Sequence, residues 1–242
     1  RHDITLTVAQ DQLKNMHPAD LAGILADLDH LERSSILQTL PMEMVAKILA
    51  ELKPSVRKEL LGKLKDETVT SLMERLAPGD AKDILSKLPK RRMHHVLNAM
   101  KATEAKEIKG LLEFKEDTAG SIMNPEFVAF QATLTAEQAL AELRKKSPKA
   151  ANIFYVYIID DSCALKGVVS LRDLIFVEPS AQLFSLIKRK PICAKSTDHI
   201  DEVIEKFTKY SIIAMPVIEK NRKLVGVITI DDVLPLLGGT VK

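Results

Sequence analysis

At 242 residues the chain is long enough for one large or two ordinary domains. Its 46% hydrophobic and 28% charged residues are those of a globular protein, and with 4% aromatics and no Trp the core falls to Leu, Ile, Val, Ala and Met. A formal charge of +2 is too near zero for an electrostatic nucleic-acid binder, and no apolar run approaches the roughly 18–20 residues of a membrane span. The chain opens on Arg1 rather than Met, as an excised piece or processed product would, and carries no signal peptide. Cys163 and Cys193 form no CxxC or other framework pattern, so both read as structural thiols in a reduced compartment.

The first half repeats every twelve residues. Apolar pairs stand at Ile24-Leu25, Ile36-Leu37, Ile48-Leu49, Leu60-Leu61, Leu72-Met73, Ile84-Leu85 and Val96-Leu97. A second column runs Met16, Leu28, Leu40, Leu52, Leu64, Leu76, Leu88, Met100, Leu112. Apolar positions at i, i+1 and i+4 make one face of a short helix. Pro18, Pro41, Pro54, Pro78 and Pro89 mark the breaks, since Pro is tolerated only in a helix's first turn. Helices this short need stacking to persist, which predicts a small solenoid; a coiled coil would need a seven-residue repeat. Asp80 and Asp83 share a helix face. They admit two readings, a shared cation or charges favouring a helix N-terminus. His94 and His95 point apart on a helix and read as surface residues.

From Lys101 the pattern changes. "KATEAKEIKGLLEFKEDTAG" predicts a charged connector helix ending near Gly120. Strands follow at 126–130, 152–160 and 167–171, with a Thr-capped helix over 135–146. A second copy supplies a strand at 191–195, a helix over 196–210, and strands at 214–220 and 224–230 around "KNRK". A last helix starts at 231. From Tyr157 the copies align without a gap, Gly167 with Gly226, Ser170 with Thr229 and Asp173 with Asp232. No nucleophile–base pair, Gly-rich phosphate loop or metalloprotease motif appears, so catalysis is not expected.

Strand-turn-strand followed by G-h-h-S/T-x-x-D-h (h apolar), twice, resembles the CBS domain. The twelve-residue helical repeats followed by "EDTAGSIMNPEFVAF" and this pair resemble the cytosolic region of MgtE-type magnesium transporters. The resemblance implies an α plus α/β fold: a short-helix superhelical solenoid, then a tandem CBS pair, or Bateman module. The expected divisions are 1–118 for the solenoid with its connector, 119–188 for the first CBS domain and 189–242 for the second.

The resemblance further implies a Mg²⁺-sensing region that gates a membrane pore domain lying outside this chain. It places the region on the cytoplasmic side of the membrane as a homodimer through the CBS domains, without nucleic acid. Hard carboxylate oxygens suit Mg²⁺, with Asp80, Asp83, Asp201 and Asp232 as candidate ligands. At 199, 211 and 235, where the family is expected to be acidic, the chain has His199, Ser211 and Pro235, and the family's acidic helix after the second CBS domain gives way to "LGGTVK". The same resemblance implies an adenine nucleotide such as ATP, with Asp173 and Asp232 on ribose hydroxyls and Ser170 and Thr229 toward phosphate. A capping pattern is the alternative for these four residues. The alternative for the whole chain is a free-standing CBS protein that binds nucleotide or a protein partner and transports nothing.

Overall fold

The computed structural model describes residues 10–145 and 153–237, in two compact units that divide at Gly110/Leu111. The ends of the predicted 135–146 helix and 152–160 strand, and the "GGTVK" tail, lie outside the described residues.

The first unit holds the predicted short helices: α1 (Gln10–Asn15), α2 (Pro18–Asp27), α3 (His30–Thr39), α4 (Met42–Glu51), α5 (Pro54–Lys63), α6 (Asp66–Met73), α7 (Pro78–Ser86), α8 (Lys90–Ala99) and α9 (Ala102–Leu112), whose last turn crosses the division. Pro18, Pro54 and Pro78 open α2, α5 and α7, and Pro41 and Pro89 sit one residue before α4 and α8. The second apolar column marks where helices stop: Leu28, Leu40, Leu52, Leu64 and Met100 are C-caps. Burial does not follow the twelve-residue beat evenly. α2, α4, α6 and α8 pack in succession, α2 on α4, α4 on α6 and α6 on α8. Ile48-Leu49, Leu72-Met73 and Val96-Leu97 are fully buried there. Of α3 only Arg33 is buried and of α5 only Leu61, so through this stretch the packing repeat is two helices long.

Arginines serve the carbonyls that these short helices leave without intrahelical partners. Buried Arg33 donates to Leu25 O at 2.9 Å and Leu28 O at 2.8 Å, at the end of α2. Arg57 donates to Ala50 O and Leu52 O at the end of α4. Arg92 reaches Leu61 O and Leu64 O at the end of α5 and pairs with Asp66 at 2.7 Å.

The second unit carries α10 (Ala119–Ile122), β1 (Ala129–Gln131), α11 (Ala136–Lys145), β2 (Tyr155–Ile159), β3 (Leu165–Ser170), α12 (Leu171–Phe176), β4 (Ala194–Lys195), α13 (Ile200–Tyr210), β5 (Ala214–Ile218), β6 (Leu224–Thr229) and α14 (Ile230–Leu237). β1-β2-β3 and β4-β5-β6 are two three-stranded sheets, each with one parallel and one antiparallel pairing. The repeat holds in detail. Tyr155 pairs with Ser170 as Ala214 pairs with Thr229, 59 residues on, and both hairpins shift register at the same step. Helices α11 and α13 begin at Ala136 and Ile200, 64 residues apart, so the first copy's five extra residues fall between Lys145 and Tyr155. Ala164 and Lys223, equivalent positions, bridge each other, which places them about the pseudo-twofold axis. β4 is shorter than the expected 191–195 strand. Tyr157 N–H donates to Val128 O at 2.9 Å in the first copy, and Pro216, its counterpart, has no N–H to give.

The expected continuous connector helix does not form. α9 stops at Leu112, and a turn through Asp117 (φ 61°) leads to α10. The reason is hydrogen bonding outside the helix: Ala119 N–H donates to Asp198 O at 2.8 Å and Gly120 N–H to Ser196 O at 2.9 Å. These contacts also delay α13, which starts at Ile200 rather than 196 because Ser196 and Asp198 are held in that turn. α10 thus packs on β4 and β6, the second sheet, and Leu111, Ala119 and Met123 lie in that sheet's core. Reciprocally, a 3₁₀ turn at Leu183–Leu186 packs on β3, with Leu183 in the core of the first sheet. Each half is completed by the segment that precedes the other.

This exchange explains the motif glycines. A Cβ on Gly167 would stand 2.5 Å from Ile187, and one on Gly226 would stand 2.6 Å from Met123 Sδ. Ile187 and Met123 are the equivalent residues of the two exchanged segments, and only glycine lets them lie against the strand.

Candidate functional site

The repeated hydroxyl–carboxylate pair stands where strand becomes helix in each copy. Ser170 ends β3 and caps α12: its Oγ accepts from Asp173 N–H at 3.0 Å and donates to Asp173 Oδ2 at 2.8 Å. Asp173 Oδ1 receives Lys188 Nζ at 2.9 Å. Lys188 first, and Ser170 second, hold the Asp173 carboxyl below the usual carboxylate range. Ser170, Asp173 and Lys188 line an open hollow of about 590 Å³ with Arg172, Phe176 and Leu186. Phe176 is 82% exposed.

In the second copy Thr229 N–H and Oγ1 both donate to Asp232 Oδ2, at 2.7 and 2.8 Å. The charges around it differ. Position 172 is Arg and its counterpart 231 is Asp; position 188 is Lys and its counterpart 124 is Asn. Asn124 is spent on the backbone: its N–H and C=O bridge Val227, and its Oδ1 accepts from Glu126 N–H at 2.9 Å. Each copy thus shows one half of the reciprocal S/T-x-x-D capping pattern, the hydroxyl accepting from Asp173 N–H in the first and the Asp232 carboxylate accepting from Thr229 N–H in the second, and Lys188 joins Asp173 in the first.

Of the remaining acidic candidates, Asp80 and Asp201 sit in the first turns of α7 and α13, and Asp83 lies in the middle of α7. Asp80 and Asp83 are exposed on α7; Lys82 Nζ lies 3.0 Å from Asp83 Oδ1. Burial lowers the Arg57 pKa, and the Asp83 and Asp80 charges oppose that shift, so a guanidinium also faces this pair. Asp201 is exposed in the first turn of α13, and its neighbour His199 caps that helix through Nδ1, which accepts from Asp201 N–H at 3.3 Å. Ser211 ends α13 in the left-handed region (φ 48°), and Pro235 lies inside α14, which packs on α13. A carboxylate oxygen is the kind of donor a hard cation takes. Among the described residues no three His, Cys, Asp or Glu side chains converge as one metal group.

Sequence comparison of the copies does not point to Lys188, Arg172 or Phe176, since none is shared: Asn124, Asp231 and Pro235 stand opposite them. The 59-residue alignment starts at Tyr157 and fixes Ser170 and Asp173. Lys188 precedes the second copy's strand, where the offset is 64, and its partner Asp173 is fifteen residues back along the chain.

The folded chain is thus a helical-repeat unit followed by a CBS pair, two α/β copies with matching strand–helix junctions. Residues 16–117 match the MgtE intracellular N domain, and residues 119–179 and 183–239 each match the CBS domain. The crystal structure of the cytosolic domain of the Mg²⁺ channel MgtE in complex with ATP superposes with a TM-score of 0.88 at 30% identity, covering 94% of this chain and 93% of that one. The soluble part of a magnesium transporter gives 0.86 at 26% identity, covering 94% and 90%. Magnesium transporter MgtE of Thermus thermophilus is 36% identical over 130 residues, 54% of this chain and 29% of that protein. That of Enterococcus faecalis is 33% identical over 130 residues, with the same coverage. The matched stretch spans under a third of these curated relatives. The chain belongs to the MgtE family, in the part formed by its intracellular N domain and CBS domains. No helix among the described residues is long and apolar enough to cross a membrane.

Proposed function

We propose that this chain is the regulatory, Mg²⁺-sensing region of a magnesium transporter, acting on a membrane pore domain from the cytoplasmic side without chemistry of its own. The observation that carries it is the likeness to the MgtE cytosolic domain over 94% of the chain, helical unit and CBS pair together. Asp80, Asp83, Asp201 and Asp232 are the proposed Mg²⁺ ligands. A cation that binds one arrangement of the region better than another shifts the population toward it. The junction of Ser170 and Asp173 is the proposed adenine-nucleotide site, with Thr229 and Asp232 its counterpart. Support comes from the hollow at Asp173 and from a similar structure that holds ATP.

A homodimer through the CBS pair is part of the reading. Phe154 and Ile175 in the first copy, and their counterparts Ile213 and Leu234 in the second, are exposed apolar residues repeated at 59. Two related apolar patches of this kind suit a self-complementary interface.

The test is limited proteolysis of the 242-residue chain in EDTA, in millimolar Mg²⁺ and in ATP, with cleavage followed across residues 101–120. Mg²⁺ should protect this stretch, and Asp201→Asn with Asp232→Asn should raise the Mg²⁺ concentration required. Protection by ATP alone would replace the reading with a nucleotide-binding CBS protein that senses no magnesium.

A further inference from the structure

The two strand–helix junctions have the same backbone and opposite electrostatics. Around Asp173 stand Arg172 and Lys188; at the equivalent places around Asp232 stand Asp231 and Asn124. The first junction therefore carries one net positive charge among these three positions, and the second carries two net negative charges. The Asp173–Lys188 pair is exposed, with side-chain accessibilities of 43% and 71%. Exposed ion pairs are weak, so this one exchanges cheaply for a better partner.

We infer that Lys188 is a specificity-determining residue that admits phosphorylated nucleosides to the Asp173 hollow and disfavours bare ones. The inference rests on the nucleotide reading of this junction. In the free protein, Lys188 occupies one carboxylate oxygen and Ser170 the other. A ribose that approaches Asp173 has to displace the lysine or crowd it. A phosphate on the same ligand offers Lys188 a stronger, charge-assisted acceptor. The lysine moves to the phosphate and its lone pair on Asp173 passes to a ribose hydroxyl. A nucleoside without phosphate breaks the ion pair and returns nothing. Arg172, on the first turn of α12 and lining the same hollow, adds to the attraction for the anion. Phe176 lines it too and presents a ring edge or face to a planar base.

The experiment is calorimetric titration of the 242-residue chain with ATP, AMP and adenosine, in EDTA at low salt. The variants are Lys188→Asn, the residue of the second copy, and Asp173→Asn. Wild type should bind ATP about five- to tenfold more tightly than adenosine, and Lys188→Asn should bring that ratio to about one. The wild-type preference should also narrow as salt is raised. Circular dichroism melting of Lys188→Asn should match wild type, because the side chain is exposed. If Asp173→Asn abolishes ATP binding while Lys188→Asn keeps the wild-type ratio, the nucleotide site stands and the role of Lys188 is overturned. If Asp173→Asn leaves ATP binding unchanged, or no protein binds ATP or adenosine, the nucleotide reading of this junction fails and the inference falls with it.

Discussion

Gly167 and Gly226 show how one missing methyl group specifies an arrangement between halves. Gly167 is buried under Ile187, three of whose side-chain atoms lie within 2.8 Å of the place a Cβ would take. Gly167→Ala forces that branched side chain off its rotamer, and overpacking of this kind costs about 1–3 kcal/mol. Urea unfolding should show the loss, and the double variant Gly167→Ala, Ile187→Ala should lose less than the sum of the single changes. Asp160 gives a second test at this scale. Its carboxylate accepts from Lys166, Ser162 and Ala164 N–H, and these, Lys166 first, hold its pKa well below the ordinary 3.8. A depressed folded-state pKa means stability that is present above the unfolded value and lost as pH falls through the folded one. Asp160→Asn should therefore lower the melting temperature by a few degrees at pH 5–7. The gap to wild type should begin to narrow as pH drops below about 4 and close only as the folded-state carboxylate is itself protonated. The motif glycines and the S/T-x-x-D residues were legible in the sequence because they repeat at 59. Lys188 was not, because its meaning depends on a carboxylate that only the folded chain brings to it.

For the helices, the twelve-residue beat and the prolines were enough to place nearly every turn of the first unit. They could not show which helices go inside. The sequence does carry a trace of it: α3 (HLERSSILQT) and α5 (PSVRKELLGK) are more polar than α4 (MEMVAKILAE). Position in the repeat is shared, yet depth is set by what packs on each face. Exposed turns between buried helices leave carbonyls that water only partly reaches, and arginines at 33, 57 and 92 take them. Arg92→Met keeps the aliphatic stem and deletes the hydrogen bonds to Leu61 O, Leu64 O and Asp66. Hydrogen bonds from a charged donor contribute about 1.5–3 kcal/mol, so the unfolding free energy should fall by about that much and the urea midpoint should drop accordingly. Far-ultraviolet circular dichroism would follow it, and an unchanged midpoint would show that water replaces the guanidinium at no cost. The connector failed as a single predicted helix for a related reason. Its local sequence is helical throughout, but the N–H groups of Ala119 and Gly120 are claimed by Ser196 and Asp198, about eighty residues away. Local propensity has no access to a partner at that distance.

Across the whole molecule, the reciprocal exchange makes domain boundaries drawn from sequence different from folding boundaries. Residues 119–123 belong to the first CBS match, yet Ala119 and Met123 are buried in the core with Val203, Phe207, Met215 and Ile228 of the second. Leu111 and the half-buried Phe114 join the same core, although the connector reads as part of the helical half. We propose 111–242 as the minimal independently folding CBS pair. Expressed alone, it should unfold in one cooperative transition. A version begun at residue 125 retains every strand but loses Leu111, Ala119 and Met123 from the second core, and removing large buried side chains costs about 2–5 kcal/mol each. Its damage should therefore appear far from the cut: hydrogen exchange should accelerate in β4–β6 and α13 first, while β1–β3 keep their protection through Leu183 and Ile187. Equal loss in both sheets would mean that neither sheet depends on the segment more than the other. Loss confined to β1–β3 would mean that the exchanged segment stabilises its sequence neighbours rather than the sheet it covers.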